Sequence, residues 1–282
     1  MNARSLVIGA NSFIGSNLIT SLAETSDVTG VYNHSRDRLV ADVPYVSIGE
    51  LYQLEPNFDH VYIVSAFIRT GTLSDEDREQ LYKVNVEMVA RICRRFSNAR
   101  IILCSSVSVY DLEPGIISEN SSIGGLNEYG ISKRWSEKIV AATPNHAIVR
   151  FSSIYGKGMN PGTIIPAYID QATEKKEIVV FGKGERLQNY LHVQDAVNYL
   201  IAAANHNKNE ILLACATESV SNRALAELIA SQTASTVTFN GNDHALSFRY
   251  NNSTTNQELN YRPIISLSEG IKEMIKWKEK KF

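Results

Sequence analysis

The chain has little of what secreted, membrane or metal-stabilised proteins depend on. Its 282 residues include only three cysteines, Cys93, Cys104 and Cys215, which lie far apart and form no CxxC pair. Free thiols are therefore expected rather than disulfides or a zinc site. The longest apolar run, Val61–Ile68, is too short to cross a bilayer, and the apolar run near the N-terminus is too short for a secretory signal. These absences predict a cytoplasmic protein with no membrane segment.

An excess of charge of one sign is also absent. The chain has 28 Lys and Arg against 30 Asp and Glu, a net charge of −2 at pH 7, so no surface for nucleic acid is expected. The six histidines show neither HxH nor HExxH spacing, and no metal site is predicted. With 44% hydrophobic and 21% charged residues, the composition is that of a folded protein with one or two domains.

Two kinds of apolar pattern alternate along the first half of the chain. Six continuous apolar runs predict strands, and the segments with helical spacing predict helices. Strands that are apolar throughout are buried on both faces, which predicts a parallel sheet covered by helices. The expected fold is α/β: a doubly wound, Rossmann-like parallel sheet with a smaller C-terminal α/β substrate-binding region. Strands are expected at 5–10, 28–32, 45–48, 61–66, 101–104 and 147–151, and helices at 13–23, 75–96 and 129–142.

A glycine-punctuated turn joins the first strand to the first helix. Gly9 and Gly15 allow a tight turn and a close approach of the backbone, and the N-terminus of the following helix stabilises a pyrophosphate. The turn therefore predicts NAD(P) binding, the alternative being an ordinary strand–helix connection. Residues 1–154 are expected to form the NAD(P)-binding domain, rejoined by 188–207, while 155–282 form mainly the substrate-binding region.

A tyrosine and a lysine stand four residues apart in the last predicted helix. The side chains of Tyr129 and Lys133 therefore share one face of that helix. The pKa of a free phenol is about 10, and a neighbouring ammonium group lowers it. Tyr129 could then transfer a proton to or from a substrate hydroxyl. The alternative is a tyrosine that only packs on the surface.

These motifs, together with Ser105-Ser-Val-Ser-Val-Tyr110, resemble those of the extended short-chain dehydrogenases/reductases, in particular the nucleotide-sugar epimerase/dehydratase family. The resemblance covers nearly the whole chain. It implies that Ser106, Tyr129 and Lys133 are the catalytic residues. It also argues against dehydration, because Val107 and Ser108 stand where the 4,6-dehydratases of the family carry Asp-Glu.

Several positions depart from the family pattern. Ser12 stands in place of the middle glycine of the turn, and Ser153 in place of an asparagine that often touches substrate. Gln188 replaces the arginine that clamps the nucleotide diphosphate, but Arg186 would lie on the same face of an extended strand and could substitute. The substrate-binding residues implied by the resemblance are Ser106, Ser108, Ser153, Arg186 and Gln188.

The end of the second strand bears on the choice between NAD and NADP. Asn33 occupies the place of the acid that binds the ribose diol in NAD-specific members. Ser35, Arg36 or Arg38 could bind a 2′-phosphate, which slightly favours NADP, unless Arg36 and Arg38 are only solvated loop charges. The cofactor-binding residues implied by the resemblance are Gly9, Asn11, Ser12, Phe13, Ile14, Gly15, Asn33, Ser35, Arg36, Ser65, Ala66, Phe67, Asn85, Tyr129, Lys133 and Phe151.

The resemblance implies an NAD(P)-dependent oxidoreductase that acts on a nucleotide-linked sugar. A 4-ketoreductase and a 4-epimerase both fit, with a slight lean toward reduction from the NADP-like turn and the short C-terminal half. The alternative from another class is a non-catalytic NAD(P)-binding regulatory or partner protein on the same fold. A homodimer is also implied, with the helices at 75–96 and 129–142 as its candidate interface.

Overall fold

The computed structural model describes residues 2–69, 71–111, 115–124 and 127–279. The strands are β1 (Arg4–Ile8), β2 (Asp27–Tyr32), β3 (Tyr45–Ser47), β4 (His60–Ile63), β5 (Arg100–Ser106), β6 (Ile116–Ile117), β7 (His146–Phe151), β8 (Ser153–Tyr155), β9 (Glu177–Phe181), β10 (Leu187–Gln188), β11 (Tyr190–His192), β12 (Glu210–Ala214), β13 (Val220–Ser221), β14 (Thr236–Asn240) and β15 (Arg249–Tyr250). The helices are α1 (Phe13–Leu22), α2 (Asp75–Tyr82), α3 (Met88–Arg95), α4 (Glu128–Ala141), α5 (Ile164–Asp170), α6 (Val193–Asn205), α7 (Asn222–Thr233), α8 (Ser253–Glu258) and α9 (Leu267–Glu279).

Seven strands form one parallel sheet in the order β12-β7-β5-β4-β1-β2-β3. The order runs outward in both directions from β1, and helices cover both faces, as in a doubly wound sheet. The predicted α/β, Rossmann-like fold is therefore confirmed. Within the described ranges, no helix combines the length and apolarity needed to cross a bilayer. A cytoplasmic location stays a prediction.

Alternate residues of each central strand face two different helical layers. In β1, Val7 packs in the cluster that contains apolar residues of α1 and α6. Its neighbours Leu6 and Ile8 pack in the opposite cluster, with residues of α3 and α4. All three side chains are completely buried, so a strand without a polar face is what this position requires.

The second half of the chain builds a separate apolar cluster and contributes to the main sheet. Apolar residues of α5, α7, α9 and β9 pack together there. In the segment 188–207, helix α6 packs against the main sheet, but the seventh strand of that sheet is β12, where no strand was predicted. The remaining strands pair two by two, β10 with β13 antiparallel and β6 with β15, β8 with β11 and β9 with β14 parallel. The division into domains stays a prediction.

The helix predicted over 75–96 is interrupted by one wide turn. Helix α2 begins with a capping box, in which Ser74 and Asp77 each accept a hydrogen bond from the backbone N–H of the other. The segment Lys83–Glu87 is π-helical and joins α2 to α3. Such insertions are frequent at functional sites, and this one contains the buried Asn85.

One buried carboxylate holds the C-terminal segment against the main sheet. Asp195, in the first turn of α6, is completely buried. Its oxygens accept hydrogen bonds from the Tyr261 hydroxyl at 2.6 Å and from the backbone N–H groups of Ile264 and Ile265 at 3.0 and 3.1 Å. The three donors are divided between the two side-chain oxygens of Asp195. A carboxylate accepts hydrogen bonds at both oxygens, so the site favours a carboxylate.

We expect Asp195→Asn to destabilise the fold, because the new amide group would turn N–H groups toward N–H donors. The loss in the free energy of unfolding should be about 2–4 kcal/mol, measured by urea denaturation. Asp27→Asn, at an exposed carboxylate, is the matched control and should change the stability by less than about 0.5 kcal/mol. Equal stability of the two variants would contradict the role given to Asp195.

Candidate active site

The turn after β1 brings two backbone segments into close contact. Gly9 has a φ of +97°, and a Cβ added there would lie 2.8 Å from the backbone nitrogen of Ser65. A Cβ added to Gly15 would lie 2.0 Å from the carbonyl oxygen of Gly9. Neither position has room for a side chain, so glycine is required at both. The turn therefore packs directly on the segment that follows β4.

A half-open cavity of about 680 Å³ lies beside this turn. Six of the predicted cofactor-binding residues line it: Gly9, Asn11, Ser12, Asn33, Ser65 and Ala66. The residues that line the cavity without having been predicted include His34, Tyr52 and Arg91, and the guanidinium group of Arg91 stacks 5.5 Å from the ring centroid of Tyr52. The glycine turn, the end of β2 and the segment after β4 thus converge on one cavity.

Other members of the predicted cofactor set lie elsewhere. Phe151 is 3% exposed and belongs to the apolar cluster under α1 and α6, and Ile14 packs against the same cluster. Phe13 opens helix α1. Their contribution to a cofactor site stays a prediction.

Two of the three residues offered as ligands of a 2′-phosphate, Ser35 and Arg36, are already engaged. The Ser35 hydroxyl donates a 2.5 Å hydrogen bond to the carboxylate of Asp37, and the Ser35 carbonyl accepts one from Asn11 at 2.8 Å. The Arg36 guanidinium group lies over the ring of Tyr32, 5.3 Å from its centroid. Neither Ser35 nor Arg36 is among the residues that line the cavity. The geometry therefore gives no support to the preference for NADP.

Asn85 holds the segment after β4 in place. Its side-chain oxygen accepts a hydrogen bond from the Phe67 N–H at 2.8 Å, and its amide group donates to the Phe67 carbonyl at 3.0 Å and to the Ser132 hydroxyl at 2.9 Å. Asn85 is 1% exposed, and both amide hydrogens are used. The residue thus fixes a backbone segment that borders the cavity.

The three predicted catalytic residues lie together where β5 meets α4. The Ser106 hydroxyl lies close enough to the Tyr129 hydroxyl to influence its pKa, and it donates a 3.0 Å hydrogen bond to the Ser108 hydroxyl. Lys133 donates to the carbonyl of Cys104 at 2.6 Å. Burial raises the pKa of Tyr129 above its usual range, as does the Cys104 thiol, and the Ser106 hydroxyl only partly opposes this. The lowering of the Tyr129 pKa that the sequence suggested is therefore not seen. Burial also lowers the pKa of Lys133.

Helix α4 approaches the serine segment backbone to backbone. A Cβ added to Gly130 would lie 2.4 Å from the carbonyl oxygen of Ser108. Asn127 caps the helix by accepting a 2.8 Å bond from the Gly130 N–H. The cap and the glycine together set how close Tyr129 comes to Ser106.

A second cavity, of about 240 Å³, begins directly after Ser106. The predicted substrate-binding residues Ser108, Ser153, Arg186 and Gln188 all line it. Leu246, Phe248 and Tyr250 also line this cavity and were not predicted from the sequence. Their segment is irregular and far away in the chain, so no periodic pattern marks it.

Residues 5–214 match the sequence model of the NAD dependent epimerase/dehydratase family. The chain belongs to this family. The match covers the whole main sheet, from β1 to β12, and every residue predicted to be catalytic.

Relatives within and around this family carry out different reactions. The chain is 24% identical over 315 residues to the UDP-N-acetyl-alpha-D-glucosaminuronate decarboxylase of Bacillus cytotoxicus, covering 98% of each chain. It is 22% identical over 258 residues to a dTDP-4-dehydro-6-deoxy-D-allose reductase of a Streptomyces species, covering 79% of each. The solved structure of UDP-glucuronic acid 4-epimerase from Bacillus cereus in complex with NAD has a TM-score of 0.83 at 21% identity, with 98% of this chain and 99% of that chain covered.

The serine that departs from the family turn fits without strain. Ser12 has φ −78° and ψ 168°, an extended conformation open to any residue, and it is the N-cap of α1. Its hydroxyl oxygen accepts a 3.0 Å hydrogen bond from the Gly15 N–H. The substitution therefore keeps the family turn and adds a helix cap.

A buried ion pair lies beneath α4, the helix that carries Tyr129 and Lys133. The carboxylate of Glu137, on α4, accepts two 2.8 Å hydrogen bonds from Arg150, on β7, and further ones from Ser105 at 2.7 Å and Arg134 at 3.0 Å. The Arg150 guanidinium group also lies 4.7 Å from the ring centroid of Tyr110. Burial alone would raise the pKa of Glu137, but the bonds from Arg150, its charge, and the bonds from Ser105 and Arg134 outweigh it and hold the pKa below its usual range.

A cluster of three side chains of metal-ligating types involves none of the residues that line these two cavities. His206, Glu210 and Glu258 offer ligand atoms within 4.8 Å of one another. The ammonium group of Lys208 lies 2.5 Å from Glu258 and already supplies positive charge there. Fixed cationic charge of this kind opposes metal binding.

We expect Glu137→Gln to lower the free energy of unfolding at pH 7 by about 3–5 kcal/mol, because it leaves Arg150 buried without its counter-charge. Since the folded-state pKa of Glu137 is depressed, its contribution is complete above the unfolded pKa of about 4.3 and is lost as the pH falls through the lower folded value. Urea denaturation from pH 7 to pH 3 should therefore show a flatter pH dependence in the variant. Glu24→Gln, at an exposed site, should follow the wild type. Parallel curves for wild type and Glu137→Gln would contradict this account.

Proposed function

We propose that the protein is an NAD-dependent 4-epimerase of a nucleotide-linked sugar. The observation that carries the proposal is that the Ser106 and Tyr129 hydroxyls lie close together, with Lys133 on the same helix as Tyr129, at the start of the 240 Å³ cavity. A serine and a tyrosine held on one oxygen can polarise it and move its proton. The bound UDP-sugars and NAD named for solved relatives support the same class of reaction.

The residues beside β1 fit a dinucleotide. The 680 Å³ cavity has the size of a cofactor site, and the tight turn that Gly9 and Gly15 permit leaves the N-terminus of α1, at Asn11 and Ser12, beside the cavity, where a pyrophosphate could bind. Gly9, Asn11 and Ser12 would hold the pyrophosphate side, and Asn33 the ribose at the end of β2. A bound nicotinamide supplies hydride transfer.

Side chains of the protein would bind and transfer the proton of the reacting sugar hydroxyl. The Ser106 hydroxyl would hydrogen bond the reacting sugar oxygen. Tyr129, deprotonated to the phenolate, would take the proton of the sugar hydroxyl on oxidation, and the resulting phenol would return it on reduction. The positive charge of Lys133, one helical turn away, would favour the phenolate against the effect of burial. Val107 and Ser108 stand where the 4,6-dehydratases of the family carry Asp-Glu, so water elimination by such a pair is not favoured, although the Asp111 carboxylate also lines this cavity.

The cavity next to the serine would hold the sugar. The residues that line it include the polar Ser108, Ser153 and Gln188 and the aromatic Phe248 and Tyr250. Arg186 lies at the same cavity and is the residue proposed to bind the substrate diphosphate. Gln188 is hydrogen bonded to Asn222 at 2.8 Å and lacks the charge for that task.

An epimerase is favoured over a ketoreductase by the end of β2. The Ser35 hydroxyl is bonded to Asp37 and the Arg36 guanidinium group lies over Tyr32, so both residues already have other partners than the 2′-phosphate of NADPH as a consumed reductant. An epimerase returns the hydride it removes and needs no exchangeable cofactor. NAD is therefore the proposed cofactor.

Native mass spectrometry of the purified protein, followed by titration with NAD and NADPH, tests this proposal. We expect NAD to be retained or to bind well above NADPH, and UDP-glucose or UDP-N-acetylglucosamine to be epimerised at C4. Tyr129→Phe should retain NAD and lose turnover by roughly 100-fold or more. An empty site that prefers NADPH would indicate the ketoreductase instead. Full turnover in Tyr129→Phe would refute the catalytic assignment, and failure to bind either dinucleotide would refute the oxidoreductase assignment.

We further propose that the chain forms a homodimer through α2 and α4. Three large apolar side chains stand exposed on these helices, Tyr82 at 58%, Ile131 at 46% and Trp135 at 57%. They line one shallow apolar groove together with Leu81 and Val86. Such a continuous exposed patch is typical of a protein–protein interface.

Sedimentation velocity tests the dimer. We expect a dimer for the wild type and a monomer for Trp135→Glu, because a charge buried in an apolar interface is costly to desolvate. The control Ile264→Glu changes another exposed apolar residue, 75% exposed, outside the groove, and should remain dimeric. A monomeric wild type would contradict the proposal.

A further inference from the structure

Ser132, between Tyr129 and Lys133, is 2% exposed and has a hydroxyl that joins two parts of the site. We infer that Ser132 is a positioning residue that couples the segment bordering the dinucleotide cavity, residues 65–67, to the turn that carries Tyr129. The inference rests on the proposed function, since it concerns how occupancy of that cavity is linked to the catalytic tyrosine.

The first part of the link is within α4. The Ser132 hydroxyl donates a 2.8 Å hydrogen bond to the carbonyl oxygen of Tyr129. The Ser132 hydroxyl oxygen in turn accepts a 2.9 Å bond from the side-chain amide of Asn85. One hydroxyl thus uses its single donor on the tyrosine backbone and an acceptor site on Asn85.

The second part reaches the cavity. Asn85 clamps Phe67 through both of its backbone polar groups, at 2.8 and 3.0 Å. Phe67 directly follows Ser65 and Ala66, which line the dinucleotide cavity. A displacement of this segment therefore acts on Asn85, and through Ser132 on the carbonyl of Tyr129.

The link has little freedom to absorb such a displacement. Asn85 lies in the π-helical turn, and its carbonyl accepts a hydrogen bond from the Ser136 hydroxyl, which also bonds the carbonyl of Ser132 at 2.9 Å. Asn85, Ser132 and Ser136 are all 2% exposed or less. Because water cannot replace these bonds, breaking one leaves a buried polar group unpaired.

The position of Tyr129 matters because its hydroxyl must stay close to Ser106. The Ser106 hydroxyl lowers the pKa of Tyr129 against the effect of burial. If the turn moves away, that contribution is lost and the phenolate becomes harder to form. Misplacement of a catalytic group by about 1 Å can cost about 100-fold in rate.

Hydrogen–deuterium exchange with and without NAD tests the link without relying on turnover. In the wild type, NAD should slow exchange in peptides that cover 65–67 and also in those that cover 128–133. In Ser132→Ala, the protection of 65–67 should remain and that of 128–133 should be lost. Ser5→Ala is the control: it removes a completely buried hydroxyl from β1, outside the link, and should keep both protections.

Kinetics provide a second readout. Ser132→Ala should lower kcat by about 10-fold or more and change KM for the sugar substrate by less than about twofold. The acid limb of its kcat–pH profile should move to higher pH, since the Tyr129 pKa rises when Ser106 no longer lies close to it. Ser132→Thr keeps the hydroxyl and should restore the wild-type profile, which a loss of packing alone would not explain.

Three results would overturn the inference. Protection of 65–67 without 128–133 in the wild type is the first, and wild-type protection and pH profile in Ser132→Ala is the second. If NAD does not bind at all, the proposed function fails, and a double-mutant cycle between Asn85→Ala and Ser132→Ala still tests the link through urea midpoints. Additive midpoints are the third result that would refute it. If Ser132→Ala does not fold, Ser132→Cys serves in all three experiments.

Discussion

The bidentate pair between Glu137 and Arg150 is the constraint on which the active site depends. It joins α4 to β7, and through Ser105 it also reaches β5. Its neighbours along the chain are residues proposed to be catalytic: Ser106 follows Ser105, and Lys133 lies one turn before Glu137. Two charges are costly to bury, and the fold offsets that cost with a full set of hydrogen bonds. These bonds fix the rotation of α4 and its distance from the sheet, and so fix the position of Tyr129 relative to Ser106.

The sheet could be predicted because its signal is local and repeated. Runs such as Ile101–Cys104 are apolar at every position, which only a strand covered on both faces requires. The strand β12 was not predicted, since Glu210–Ala214 begins with a charged residue and lies outside the regular alternation of the first half. Likewise the π-helical turn at Lys83–Glu87 leaves the apolar spacing of α2 and α3 nearly unchanged, so the sequence indicated one helix.

The candidate site also has features that could be predicted from the sequence and features that could not. Glycines and the Tyr129–Lys133 spacing mark backbone geometry, which a short motif can encode. The contacts of Ser35 with Asp37 and of Arg36 with Tyr32 are choices among rotamers, and no motif encodes them. The lean toward NADP followed from residue types alone and is not supported. The wall formed by Leu246, Phe248 and Tyr250 comes from an irregular segment whose position depends on the whole fold.

The helix cap at Ser12 has a consequence for the anion that the turn would receive. The Gly15 N–H, in the first turn of α1, is already donated to the Ser12 hydroxyl oxygen. An incoming phosphate therefore meets one donor fewer than a turn with glycine in that place would present, although the partial positive charge of the helix end is unchanged. The anion must either displace the serine oxygen or bind through the other free amides. The grip on a dinucleotide is thereby shifted from the turn toward the remaining walls of its cavity.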